Sequence, residues 1–183
     1  IEQYPLAGLY STACIIIEKD GSITEPIFSG LPENRIDCIV PNYFKSVVVG
    51  GPIVNSSSAC IPKYIYTSVG GFVMGEEYGE DTSLWARIAL QYPVAISRRV
   101  GATYHREAAN RTSGRTIQKQ LWSFTEQAKE ALEKKQLEDD ERYYLNLYLG
   151  KSLMRMAIDN VLLGNTKFAR QALAEVHNKE YLI

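Results

Sequence analysis

The sequence predicts an α/β fold, α+β within this chain, in which a mixed sheet with helices precedes an all-helical hairpin region. Three observations support this prediction. The 183 residues are 45% hydrophobic and 22% charged, as in an ordinary globular protein. Eleven of the 13 glycines lie within residues 8–115, among β-branched runs and turn signals. Residues 116–177 contain no proline and show helical periodicity. A boundary is therefore expected near Gly114, with 1–114 as one part and 115–183 as a helical extension.

Short strands and helices are predicted in turn along the first part. Residues 8–17 are rich in β-branched and aromatic types and end at a Lys-Asp-Gly turn, so we expect a strand. Residues 35–40 suit either a short strand or a helix, and residues 42–51 are ambiguous. Residues 57–61 are predicted as a short buried strand. A helix through residue 68 follows, because Pro62 suits a first helical turn.

A longer helix is predicted after residue 80. Acidic and hydroxyl side chains at residues 80–83 are typical of a helix start. The apolar residues that follow recur at helical spacing, at Leu84, Trp85, Ile88 and Ala89. Pro93 ends this helix. Val94–Ser97 and Gly101–His105 are then predicted as two strands on either side of a basic turn at residues 98–99.

Three helices are predicted in the second part. The first spans about residues 115–135 and carries an apolar face that must pack rather than meet solvent, made of Ile117, Leu121, Phe124, Ala128 and Ala131. The second starts at the acidic run 139–141, which suits the positive end of a helix dipole, and Gly164 separates it from the third. The last two helices resemble a tetratricopeptide-type hairpin, although one copy does not establish a repeat. We expect the three helices to pack on one another and to leave a groove for a partner or for self-association.

Charge and cysteine content exclude several classes of protein. The net charge of −1 and the pI of about 6.2 give no basic face for nucleic acid. No apolar run approaches the roughly 20 residues of a membrane span, so no transmembrane segment is expected. The three cysteines are widely spaced and lack a Cys-x-x-Cys pattern. This spacing indicates a reducing compartment, argues against structural zinc and predicts small buried thiols. The expected location is cytoplasmic or membrane-peripheral.

The most informative stretch runs from residue 70 to residue 89. Gly70, Gly71 and Phe72 are followed by a polar loop, by the pair Glu80 and Asp81, and by the helical sequence Leu-Trp-Ala-Arg. This order resembles the acceptor-side half of family-2 glycosyltransferases of the GT-A fold. The resemblance extends outward from a Tyr-Pro segment near the start of the chain to a Tyr-His-Arg loop that closes the first part.

The resemblance implies a hexosyltransferase-type enzyme of polysaccharide or glycoconjugate biosynthesis. Such an enzyme moves a sugar, with inversion, from a nucleotide-sugar donor to a hydroxyl of a glycan or lipid-linked acceptor. Asp81 is then the general base and Glu80 the neighbour that orients the acceptor. Inversion needs a base that takes the proton of the incoming hydroxyl while the nucleoside diphosphate leaves from the opposite face. An acidic residue at a helix start is also the usual capping residue, so a purely structural role for Asp81 stays open.

The same resemblance implies six substrate-binding residues, namely Gly70, Gly71, Phe72, His105, Arg106 and Arg111. The glycine pair would let the backbone approach a sugar closely, although it would equally serve an ordinary turn. The loop after residue 104 is expected near the nucleotide diphosphate, where guanidinium groups suit phosphate oxygens. The alternative for both arginines is a solvated surface position.

The donor half of the family is not represented in this sequence. Its Asp-x-Asp motif, which holds a divalent cation, Mg²⁺ or Mn²⁺, beneath the diphosphate, does not occur. The first five residues are typical of the end of a helix before its proline, so we expect upstream sequence in the full-length enzyme. We also expect the cation there, and we expect this part alone to bind neither metal nor donor and to be inactive.

A different class of function is compatible with the same sequence. A non-catalytic protein-interaction module could use the helical extension to bind a partner through an amphipathic groove. Cutting the chain after Gly114 separates the two hypotheses, since each assigns the activity to a different piece.

Overall fold

The computed structural model describes residues 2–108, 117–134 and 137–176. Contacts within the chain divide it into two units. The first comprises Ile1–Val69 and Ile88–Ser113, and the second comprises Gly70–Arg87 and Gly114–Ile183. These units are defined by contacts within the chain, whereas the boundary expected near Gly114 separates a family domain from an extension. That boundary therefore remains a prediction.

The described ranges contain both strands and helices, which confirms a mixed α/β fold. The strands are β1 (Leu9–Ile17), β2 (Ile23–Thr24), β3 (Asp37–Ile39), β4 (Ala59–Cys60) and β5 (Val94–His105). The helices are α1 (Tyr43–Gly50), α2 (Lys63–Ser68), α3 (Glu80–Ala89), α4 (Phe124–Glu133), α5 (Asp139–Leu162) and α6 (Thr166–Ala174). Among these helices none is both long enough and apolar enough to cross a bilayer.

The first unit is built on a mixed sheet with the strand order β2-β1-β5-β3. Strands β1 and β5 are parallel, whereas β2, β3 and β4 each pair with a neighbour in the antiparallel sense. The central strand β1 is buried over most of its length, and the facing end of β5 is buried as well. The run of β-branched residues therefore forms the strand that the sequence predicts.

The predicted turn at Arg98 and Arg99 is wrong. Val94–His105 is one strand, and the two arginines are extra residues within it, because Ser97 pairs with Thr12 while Val100 pairs with the next residue of β1. Contacts of Arg98 with other residues of the first unit stabilise this bulge, so no turn forms there. The Arg98 guanidinium donates to the carbonyls of residues 32 and 35 and lies 5.3 Å from the Phe28 ring centroid.

Two short elements of the first unit decide what the sequence left open for residues 35–40 and 42–51. Residues 37–39 form a strand rather than a helix, and residues 43–50 form a helix whose N-cap is the side chain of Asn42. Two of the three cysteines, Cys14 and Cys38, are buried as predicted. The prediction is wrong for Cys60, which is exposed because it lies in the two-residue strand β4.

In the second unit, helices α4, α5 and α6 surround an apolar core. Its members are fully or almost fully buried and comprise Phe124, Ala128, Leu145, Leu149, Leu153, Met156, Phe168, Ala169 and Ala172. The Phe124 and Tyr148 rings meet edge to face with centroids 5.3 Å apart. A capping box at Glu138 and Glu141 starts α5, and Gly164 with φ +80° follows its end.

The predicted helix over 115–135 is too long. Among its described residues, the helix starts only at Phe124, and Ile117–Ser123 is not helical. Hydrogen bonds to distant parts of the second unit take the place of helical ones there. The backbone N–H of Gln118 donates to Asn160 Oδ1, and Trp122 Nε1 donates to the carbonyl of Tyr78. Ile117 is consequently half exposed rather than packed.

Candidate functional site

The glycine loop, Gly70–Gly79, leads into helix α3 and is shaped by its glycines. Gly70 and Gly71 have φ of +82° and +58°, so both occupy the left-handed region that glycine alone enters freely. The predicted tight turn is therefore confirmed. Close backbone approach to a sugar remains an expectation.

Arg87 ties the two halves of the motif together. This side chain is almost completely buried, with 1% of its surface exposed, and its Nη2 donates to the carbonyl of Gly71 at 2.5 Å. A charge-assisted hydrogen bond of this kind is among the stronger ones in proteins. The fourth residue of the Leu-Trp-Ala-Arg sequence thus holds the glycine turn from the far end of the helix.

Glu80 and Asp81 form the first turn of α3. The carbonyl of Gly79 accepts from the N–H of Ser83 at 2.8 Å, so the helical hydrogen bonds begin at Gly79 and Asp81 lies inside the helix. Asp81 Oδ1 accepts from the N–H of Thr82 at 2.6 Å and from its hydroxyl at 3.2 Å. Asp81 therefore does not occupy the N-cap position, which lies before the first helical residue.

A buried tyrosine lies within electrostatic range of Asp81. Burial raises the pKa of Tyr148 well above its usual value, and the negative charge of Asp81 raises it further. Both effects keep the phenol protonated at neutral pH. Tyr148 belongs to α5, so the helical extension supplies a neighbour to the candidate base.

The two aromatic residues of the motif differ in exposure. The Phe72 side chain is 51% exposed, so it is not a core residue following the turn. Trp85 is buried, as its helical spacing beside Leu84 indicates. Phe72 is therefore the residue of this pair that a ligand could reach.

Two of the three residues predicted near the diphosphate, His105 and Arg106, lie in the first unit at the end of β5. Arg106 Nη1 donates to both carboxylate oxygens of Glu18, at 2.8 and 3.1 Å. His105 Nδ1 lies 2.5 Å from Glu107 Oε1, and this hydrogen bond lowers the pKa of the Glu107 carboxyl. Arg111 lies outside the described residues. A phosphate group would have to compete with Glu18 for Arg106.

Sequence reasoning missed the segment Ile117–Ser123, which we call the strap. Every second side chain of the strap donates to a carbonyl of the glycine loop. Gln118 Nε2 and Trp122 Nε1 reach the Tyr78 carbonyl at 3.4 and 2.9 Å, and Gln120 Nε2 reaches the Met74 carbonyl at 3.2 Å. The alternation of Gln, Gln and Trp is the sequence signal, and it is too weak to identify the partner.

A buried carboxylate completes this arrangement. Glu76 has 7% of its surface exposed, and its Oε1 accepts from the backbone N–H of Ser123. The hydroxyls of Ser83 and Ser123 lie 3.4 Å apart. The strap and the start of α3 are therefore also joined through polar contacts.

Helices of the second unit also border a half-open cavity of about 270 Å³. Its lining includes the apolar side chains of Leu149 and Leu153 together with the ion pair of Lys129 and Glu175. That the helical extension binds a partner through a groove stays a prediction.

Within the described part of the chain, no group of three or more His, Cys, Asp or Glu side chains is placed to hold a metal ion. The described residues offer no site for the divalent cation, which the resemblance assigns to the donor half, and no chemical step is assigned to a metal here. No family model matches this sequence, no curated protein matches it, and no solved structure matches the fold. The relation to family-2 glycosyltransferases therefore stays a proposal.

Proposed function

We propose that this chain forms the acceptor side of an inverting, family-2-type glycosyltransferase of the GT-A fold. One observation carries the proposal. The buried Arg87 guanidinium donates to the Gly71 carbonyl, so the Gly-Gly-Phe turn and the acidic helix are parts of one fixed structure. A surface helix with an ordinary acidic start would not need a buried cation to hold the preceding turn.

The proposed reaction uses Asp81 as the base. The acceptor hydroxyl oxygen forms a bond to the anomeric carbon of the donor, and its proton passes to the Asp81 carboxylate. The bond from that carbon to the diphosphate oxygen breaks, and the nucleoside diphosphate leaves with the electron pair. Glu80, the residue before Asp81 in the helix, is proposed to hold a second acceptor hydroxyl. Phe72 offers its exposed ring to the apolar face of a sugar.

Substitution of Asp81 tests this proposal in the longest polypeptide that carries the chain. Release of nucleoside diphosphate is measured with a panel of UDP- and GDP-hexoses, with and without glycan acceptors. Asp81→Asn should lower kcat by about 10²- to 10⁴-fold, the usual contribution of a general base, and leave donor affinity unchanged. Glu80→Gln should be milder and act more on acceptor affinity.

Asp139→Asn is the matched control, because Asp139 is an acidic residue in the first turn of another helix, α5. It should leave turnover unchanged. If Asp81→Asn turns over as fast as the parent protein, Asp81 is not the base and its role is structural. Failure of every hexose donor to react would argue against the enzyme as a whole.

An interaction module is the second candidate, and one observation favours it. Ile158, Val161 and Leu162 on α5 are each at least half exposed, which leaves apolar surface on the helical extension. In that case Asp81→Asn would leave the function of the protein intact, whereas Ile158→Glu would abolish binding.

A further inference from the structure

The strap is held at its first residues by the last turn of α5 and by the turn that follows it. Four hydrogen bonds link Gln118, Asn160 of α5 and Asn165 beyond the helix end. The backbone N–H of Gln118 donates to Asn160 Oδ1 at 3.2 Å, and its side-chain Oε1 accepts from Asn160 Nδ2 at 3.1 Å. Asn165 Nδ2 donates both to the Gln118 carbonyl and to Asn160 Oδ1, at 3.2 and 3.0 Å.

Two of the three anchoring residues lie in the interior of the second unit. Asn160 is completely buried and Gln118 is 8% exposed. Buried amides whose hydrogen-bonding groups are paired within the protein favour a single arrangement, because any other leaves a polar group unsatisfied. The position of the strap is thereby fixed by the helical extension.

The other end of the strap fixes the last residue before α3. The Trp122 ring lies against Gly79, where a Cβ atom would come within 2.7 Å of Cε2 and 3.0 Å of Cη2. The indole N–H holds the carbonyl of the preceding residue, Tyr78. Both contacts fall immediately before Glu80 and Asp81 in the chain.

We propose that the strap is a positioning element for acceptor binding: Gln120 and Trp122 hold the glycine loop and the start of α3 in the conformation that binds the acceptor. The inference rests on the proposed function and deepens it. It assigns a role to the helical extension, in which Asn160 of α5 and Asn165 after it hold the strap. The strap residues are proposed to act through the glycine loop, as positioning residues and not as catalytic ones.

Two substitutions test this role in the longest polypeptide that carries the chain, the same protein that is used for the Asp81 assay. Trp122→Phe keeps an aromatic ring and removes the donor to Tyr78, and Gln120→Ala removes the donor to Met74. Gln171→Ala is the matched control, since this glutamine is exposed on α6. Hydrogen exchange of the backbone amides is measured by mass spectrometry over residues 72–83 and over α5.

Each strap variant should raise exchange over residues 72–83 by about 2- to 10-fold, the effect of one lost hydrogen bond, while α5 stays unchanged. In the transfer assay the KM for acceptor should rise by a similar factor, with kcat at saturating acceptor and its pH profile unchanged. The control should change neither quantity.

Unchanged exchange over residues 72–83 in both variants would overturn the proposal. Faster exchange spread equally over α4, α5 and α6 would also overturn it, because the strap would then serve only the core. The proposed reaction fails separately, through normal turnover by Asp81→Asn. If Asp81→Asn turns over normally, hydrogen exchange over residues 72–83 still shows whether the strap holds the glycine loop. An unchanged KM for acceptor in the strap variants would reject the role of the strap in acceptor binding.

Discussion

Gly79→Ala is the substitution whose cost the structure specifies best. The residue has φ +77°, which costs an L-residue about 1–2 kcal/mol. The added methyl group would also lie within 2.7 Å of Trp122 Cε2, well inside van der Waals contact. Since the indole ring is rigid and buried, overpacking adds about 1–3 kcal/mol. We therefore expect a total loss of about 2–5 kcal/mol in the stability of the second unit.

Gly164→Ala is a matched control for the conformational part of this cost. Gly164 has φ +80° in the same unit, and no atom lies within 4 Å of the position its Cβ would take. It should lose only about 1–2 kcal/mol. The difference between the two variants isolates the overlap with Trp122.

Urea unfolding followed by tryptophan fluorescence measures both losses. The chain has two tryptophans, Trp85 and Trp122, and both belong to the second unit, so the signal reports on that unit. Far-UV circular dichroism replaces fluorescence in a Trp122→Ala background. In that background Gly79→Ala should cost no more than Gly164→Ala. Equal costs for the two glycine variants in the parent protein would refute the reasoning.

Three further predictions concern the second unit. Phe124→Ala should destabilise the second unit by about 3–5 kcal/mol in the same assay, because the ring is completely buried. Leu121→Ala, which the longer predicted helix would place in the core, should cost less than about 2 kcal/mol, because Leu121 is only partly buried; a larger loss would contradict its place on the strap. Burial lowers the pKa of Lys129, but hydrogen bonds to Glu175 and Glu126 outweigh it and leave the pKa raised. The ion pairs of Lys129 stabilise the folded state fully below the unfolded-state pKa of about 10.4, and this stabilisation is lost as pH rises through the higher folded-state pKa. Melting temperatures between pH 9 and 11.5 should therefore fall less steeply in Glu175→Gln than in the parent protein.

Local signals predicted most of the elements and the turn of the candidate site. The strand over 9–17, the helix over 80–89 and the glycine turn each depend on residues close in sequence, through β propensity, a helix start and positive φ. The bulge in β5 was not predicted, because two arginines in a row suggest a turn unless their distant partners are known.

The strap was missed for a related reason. Its apolar residues continue a helical spacing, but the hydrogen-bonding groups of Gln118 and Trp122 are satisfied by residues some 40 positions away. Sequence periodicity indicates which residues are buried, but it does not identify the hydrogen-bond partners of their polar neighbours. The burial of Arg87 belongs to the same category, since one of its partners is the Gly71 backbone carbonyl, which has no side-chain signature.

The strap also determines when the glycine loop can take its final shape during synthesis. The loop leaves the ribosome before its anchor, because Asn160 and Asn165, which hold Gln118, come roughly 85 residues after Gly79. At the usual rate of about 5–20 residues per second, those residues emerge about 4–17 s later. For that interval the strap, which contacts the carbonyls of Met74 and Tyr78, lacks its anchor at Asn160 and Asn165. A nascent chain halted before residue 160 should therefore expose this loop to proteases, and one extended past Asn165 should protect it.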